Sequence, residues 1–211
     1  MTDIKIYAPE QINPGENLVH YIAHSPYPDF FWKSVALFPN HKIVCWKNDT
    51  QIIPFMSQQE KTIYNKYKYV EQKMQFFKYV ILRAFGGIYI DINVNLKQAI
   101  PISNKVIVFT NAILMPDFVE QTARIPVRNF VPECPIRIRA DILSCPFNSS
   151  FIGEVINLCE LRVDVPISSV YDISYTCGED VISTVVANNP EYIYTLGLKQ
   201  SAKFIESVQQ N

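Results

Sequence analysis

Apolar residues along this chain come in short runs, separated by stretches in which they recur every three or four positions. That alternation predicts an α/β layer architecture, with strands feeding helices that pack back on a sheet. Residues 18–23 form the first predicted strand. Pro26 and Pro28 break it, and residues 29–37 follow as a helix with Asp29 near its N-cap. Lys42–Trp46 reads as a second strand, closed by the polar turn cluster Lys47-Asn48-Asp49-Thr50.

The longest periodic segment is Val70–Phe85, where Val70, Met74, Phe77, Ile81 and Ala84 predict one apolar helix face. Gly86-Gly87 offers a left-handed cap to end it, and residues 88–92 resume as a strand. Residues 105–110 and Ile136–Cys145 read as further strands, and residues 151–161 and 179–187 as helices. Residues 116–135 carry four prolines and read as a surface loop or lid, while the last fifteen residues read as a helix.

Length and charge narrow the classes. A chain of 211 residues fits one domain spanning residues 1–211. Its net charge of −1 gives no electrostatic drive toward nucleic acid, so no nucleic-acid partner is expected. No run of about 18 apolar residues exists, so no integral membrane segment is expected. The charged start of the chain is unlike a secretory leader, which points to a cytoplasmic location. The two N-x-S/T matches, at Asn48 and Asn148, then read as coincidences. The five cysteines have no C-x-x-C spacing and are expected as reduced thiols, not as a zinc site.

Candidate chemistry lies where the long helix gives way to the glycines and the next strand. Along the run Gly86-Gly87-Ile88-Tyr89-Ile90-Asp91-Ile92-Asn93, strand alternation would put Tyr89, Asp91 and Asn93 on one face. Ligands of open α/β sheets bind beyond the carboxyl ends of strands. A carboxylate and an amide oxygen placed there suit Mg²⁺ or Mn²⁺; a solvated Asp and Asn in a turn is the alternative.

This run resembles the G-G-x-Y-x-D-x-D signature of the DXD-motif glycosyltransferases, a group including yeast-type mannosyltransferases, capsular polysaccharide transferases and, distantly, clostridial glucosylating toxins. Asn17-Leu18-Val19-His20-Tyr21-Ile22-Ala23 resembles the family's first strand, and residues 31–46 its next helix and strand. The resemblance implies a GT-A type fold, a single-domain Rossmann-like mixed sheet flanked by helices. It also implies a donor-binding half at about residues 15–97 and an acceptor and catalytic half at about 98–211.

It implies transfer of a hexose-type sugar from a UDP- or GDP-sugar to a glycan or glycoconjugate hydroxyl, assisted by Mn²⁺ or Mg²⁺. Ile22, Ala23 and His24 would lie by the nucleoside and Tyr89 by the donor. Asp91 and Asn93 would serve ribose, metal and diphosphate. The family's D-x-x-R on the preceding helix is Gln75 and Lys78 here, its second motif Asp is Asn93, and its stacking Trp is Ala23. Lys78 keeps the cation without the bidentate fork. These departures make a catalytically degenerate sugar-nucleotide or glycan-binding module the competing reading.

Two further carboxylates are candidates. Asp141 falls loosely where the family carries a residue near the reacting face of the sugar. It can serve as nucleophile or general base, or can pair with Arg137 or Arg139. Asp180, in Gly178-Glu179-Asp180, can contact metal or acceptor, or can complement a helix dipole.

Overall fold

Two neighbouring strands, β2 (Leu18–Ile22) and β3 (Lys42–Trp46), are buried along nearly their whole length in a seven-stranded sheet. The computed structural model describes residues 5–23, 26–101, 103–113, 136–189 and 193–206. The remaining elements are β1 (Ile6–Tyr7), α1 (Asp29–Ala36), α2 (Asp49–Ile52), α3 (Gln58–Lys66), α4 (Val70–Phe85) and β4 (Gly87–Ile90). They continue with β5 (Asn95–Leu96), β6 (Val106–Ile113), β7 (Ile136–Cys145), α5 (Ser150–Arg162) and α6 (Val170–Cys177). The chain closes with α7 (Glu179–Asn188), β8 (Ile193–Leu196), α8 (Leu198–Phe204) and β9 (Ile205–Glu206).

The strand order is β1-β3-β2-β4-β7-β6-β8, and β7 alone runs antiparallel to its neighbours. Strand side chains alternate between two apolar layers. Leu18, Ile22, Val44, Trp46, Tyr89 and Leu143 pack under α4, α5, α6 and α7. Val19, Tyr21, Ile43, Cys45, Ile90 and Ile142 pack under α1 and the small β5–β9 ribbon.

Helix α4 has the bounds its periodicity predicts, but not a single apolar face. Everything from Phe76 to Leu82 is buried, whereas Val70 and Met74 are exposed. Its carboxyl half passes beneath the sheet with helices on both flanks, so apolar residues are wanted all round. Neither does Gly86 form a left-handed cap: its φ of 70° comes with ψ of −163°, an extended backbone open to glycine. Gly87 follows at φ 98° inside β4.

A side chain on either glycine would collide with backbone. A Cβ on Gly86 would stand 2.5 Å from the Phe147 nitrogen, and one on Gly87 2.7 Å from the Leu18 oxygen. Helix and strand can therefore join without a loop only through this pair.

His20 fastens that junction. Trp46 Nε1 donates to His20 Nδ1 at 3.2 Å, so the ring proton sits on Nε2, 2.9 Å from the Gly86 oxygen. Burial lowers the His20 pKa to about 4, which keeps the ring neutral. The polar cluster after β3 is a helix start rather than a turn, with the Asn48 side chain accepting from Gln51 N at the head of α2. Within the expected terminal helix, residues 198–204 are helical and residues 205–206 pair with β5, while residues 207–211 lie outside the described residues. The expected loop at 116–135 lies outside the described residues.

Candidate active site

Strand β4 ends at Ile90, so Asp91 sits just beyond its carboxyl end instead of inside a longer strand. The Asp91 amide donates to the Asp141 oxygen at 2.7 Å, which continues the β4–β7 ladder by one rung. The chain then turns, because Asp91 Oδ1 accepts from the Asn93 amide at 2.9 Å and from Asn93 Nδ2 at 3.1 Å. Strand alternation stops there. Asn93 reaches Asp91 by folding back, not by sharing a strand face. Asp91 Oδ2 accepts no hydrogen bond among the described residues, and Asn93 is exposed.

Asp141 lies where β7 loses register with β6. Val108 faces Leu143 but Thr110 faces Ile138, two residues along one strand against five along the other. Such bulges re-aim side chains, and Arg139 and Asp141, two residues apart along β7, meet beside this one. Arg139 Nε meets Asp141 Oδ1 at 2.8 Å, and a second guanidinium nitrogen meets Oδ2. This is one of the pairings foreseen for Asp141.

Asp180 is 3% exposed and forms an ion pair with Arg137. It stands in the first turn of α7, which is held by Tyr79 Oη donating to the Cys177 oxygen at 2.9 Å and by Ile138 N donating to Ser183 Oγ at 3.0 Å. A buried, ion-paired carboxylate has little capacity left for substrate, so its first role is to fix α7 against β7.

Lys78 is almost wholly buried. Its ammonium donates to Gln75 Oε1 and, at 2.7 Å, to the Ala140 oxygen. Burial lowers its pKa to about 8, against the opposing pull of Cys177, Asp141 and Asp91. Gln75 and Lys78 thus bind each other, and the cation acts on Asp91 and Asp141 through its field. Tyr89 is buried, and its hydroxyl is pushed well above its usual pKa by burial and by Asp91 and Asp141. Ile22 and Ala23 are buried where β2 ends, with Ala23 N donating to the Trp46 oxygen at 3.0 Å. His24 lies outside the described residues.

Glu179, which sequence reasoning left aside in favour of its neighbour Asp180, lies within electrostatic reach of Asp141 and Lys78. It accepts from Asn111 Nδ2 at 3.1 Å, and burial followed by the Asp141 carboxylate raises its pKa. Its one sequence signal was position, beside the glycine that opens α7.

Among the described residues, no three His, Cys, Asp or Glu side chains are grouped to hold a metal ion by themselves. Mg²⁺ and Mn²⁺ do not need such a cage, since one or two protein oxygens with water and phosphate suffice. Asp91 Oδ2 and the amide oxygen of Asn93 fit that demand. Cys45, Cys145, Cys159 and Cys177 are free and buried, as expected of reduced thiols, and Cys134 lies outside the described residues. No helix among the described residues is long and apolar enough to cross a membrane. A cavity lined by Asn17, Leu18, His41, Gly87, Cys145 and Phe147 sits at the opposite end of the strands from Asp91.

Comparison with known proteins agrees with this geometry. Residues 31–114 match the family described as glycosyltransferase sugar-binding region containing DXD motif, a span from α1 through β6 that includes Asp91 and Asn93. No curated protein sequence matches the chain. Among solved structures, the PaToxG glycosyltransferase superposes with a TM-score of 0.52 at 11% identity, covering 84% of this chain and 70% of that one. That likeness is one of fold, a mixed α/β sheet of GT-A type. The matched region is that of DXD-motif glycosyltransferases and the fold is one such enzymes use, and together they support a sugar-transferring enzyme of this kind.

Proposed function

We propose that the enzyme moves a hexose-type sugar from a UDP- or GDP-sugar to a hydroxyl of a glycan or glycoconjugate, with the donor diphosphate at the carboxyl end of β4. The observation that carries this reading is Asp91. One of its oxygens is fixed by the Asn93 turn, the other is open, and the backbone is tied to Asp141 on the neighbouring strand. Ligands of open α/β sheets bind at such strand ends. A divalent cation would be held by Asp91 Oδ2 and the Asn93 amide oxygen, and when bound it supplies positive charge to the departing diphosphate.

The chain's own residues contribute the rest. Lys78 adds a buried positive field behind Asp91 and Asp141. Asn111 orients Glu179 toward the same cluster. Ile22 and Ala23 close the nucleoside end of β2.

The test pairs binding with turnover. UDP or GDP with Mn²⁺ should raise the melting temperature, since a ligand that binds only the folded state stabilises it by mass action. Asp91→Ala should keep the apo melting temperature and lose both that shift and donor turnover. Full turnover in Asp91→Ala would refute the assignment of the donor site. Binding without turnover of any donor in the wild type would favour the degenerate sugar-nucleotide-binding module.

A further inference from the structure

Among the described residues, three cations stand by the site, and the structure gives them unequal freedom. Lys78 is 1% exposed, with two of its protons committed to Gln75 and the Ala140 oxygen. Arg137 pairs with Asp180, whose side chain is 3% exposed, so removing Arg137 would strand a buried carboxylate. Arg139 differs from both. Its side chain is 24% exposed, and that of its partner Asp141 is 34% exposed. If this pair separates, water can solvate the freed carboxylate. Opening this pair therefore costs less than opening the Arg137–Asp180 pair, whose carboxylate is sealed from water.

The pairing is also informative in shape. Arg139 presents Nε and a terminal nitrogen to the two Asp141 oxygens, the fork that guanidinium offers to carboxylate and phosphate alike. Asp141 in turn carries the carbonyl that accepts from Asp91 N. The fork therefore sits one strand from the proposed donor site.

We propose that Arg139 grips the donor diphosphate, and that the Asp141 carboxylate occupies its guanidinium until the donor arrives. This rests on the donor-site reading above. The phosphate fork that Lys78 cannot form on α4 is supplied instead from the β7 bulge. Donor binding also frees Asp141, so its carboxylate becomes available in the loaded site and is neutralised in the empty one.

Isothermal titration of UDP, GDP and uridine, with Mn²⁺ present, tests this in wild type, Arg139→Gln, Arg139→Lys, Asp141→Asn and the double variant Arg139→Gln/Asp141→Asn. We expect Arg139→Gln to weaken UDP and GDP at least tenfold while uridine is unaffected. Arg139→Lys, which keeps the charge and loses the fork, should fall between, and it carries the test if the Gln variant fails to fold. Asp141→Asn should bind UDP as tightly as wild type or tighter. The double variant should remain weak. Recovery of wild-type affinity in the double variant would mean that Arg139 merely neutralises Asp141, and the proposal would be overturned. So would unchanged UDP binding in Arg139→Gln. If wild type binds neither UDP nor GDP, the donor-site reading itself fails and takes this inference with it.

Discussion

Asp91 and Asp141 are joined through backbone: the amide of the first donates to the carbonyl of the second at 2.7 Å, one rung past the end of the β4–β7 ladder. Two carboxylates are thereby seated side by side at a strand end, with Lys78 behind them. Negative charge gathered at a strand end attracts a hard cation, so a further carboxylate there should tighten metal binding. Asn93→Asp adds a third carboxylate and should lower the Mn²⁺ concentration needed for half-maximal binding in the presence of UDP. Titration calorimetry reads this directly. Equal Mn²⁺ affinity in the two proteins would remove Asn93 from the set of metal ligands.

The glycine pair should be intolerant of substitution. Gly86→Ala or Gly87→Ala forces a Cβ to within 2.5 Å or 2.7 Å of backbone at a positive φ. Strain and overpacking together should cost about 3 kcal/mol or more. Gly153, inside α5 with open space at its Cβ position, is the control, and Gly153→Ala should gain about 0.5–1 kcal/mol. Urea unfolding midpoints compare the three, and a mild effect at Gly87 would contradict the close packing on Leu18.

Acid should destabilise the fold through His20. Its pKa falls from 6.5 to about 4 on folding, so the unfolded chain binds the extra proton between those values. Stability is then complete above pH 6.5 and declines as pH drops toward 4, by about 3 kcal/mol across the window. His41, also lowered by burial, adds in the same direction. His20→Gln should flatten the pH dependence of the urea midpoint in that range. A slope identical to wild type would show that the ring charges without penalty.

Lys78 gives the opposite end of the pH scale. Burial lowers it from 10.5 to about 8, so between these values the unfolded chain holds a proton that the folded chain lacks. Lys78 by itself makes stability rise with pH across that window, while the thiols of Cys45, Cys145, Cys159 and Cys177, raised by burial from 9.0, pull the other way. The difference in slope between wild type and Lys78→Met isolates its contribution from the opposing one of the buried cysteines and tyrosines. Matching slopes in the two proteins would indicate an ammonium far better solvated than its packing implies.

Much of the fold was written in the order of residues. The spans Lys42–Trp46, Val70–Phe85 and Ile136–Cys145 have the bounds their patterns predict, because local periodicity and flanking breakers set where regular structure starts and stops. Gly86-Gly87 and Asp91 were legible for the same reason, as a motif is a local object. Helix α6 and the strand pairs β5–β9 and β6–β8 were not, since short elements with weak periodicity form only when a partner is already in place.

The roles of the charged residues were beyond the sequence altogether. Nothing in the order of residues says that Lys78 would be buried against the Ala140 oxygen, or that Asp180 would be sealed by Arg137 while Asp141 stays half open beside Arg139. Nor does it say that the carboxylate held by Asn111 at the head of α7 would be Glu179 and not its neighbour. A side chain's charge state and availability depend on which groups meet it across the sheet and how much water remains. Both are set by long-range packing and by a slip of register in β7 that no local pattern announces.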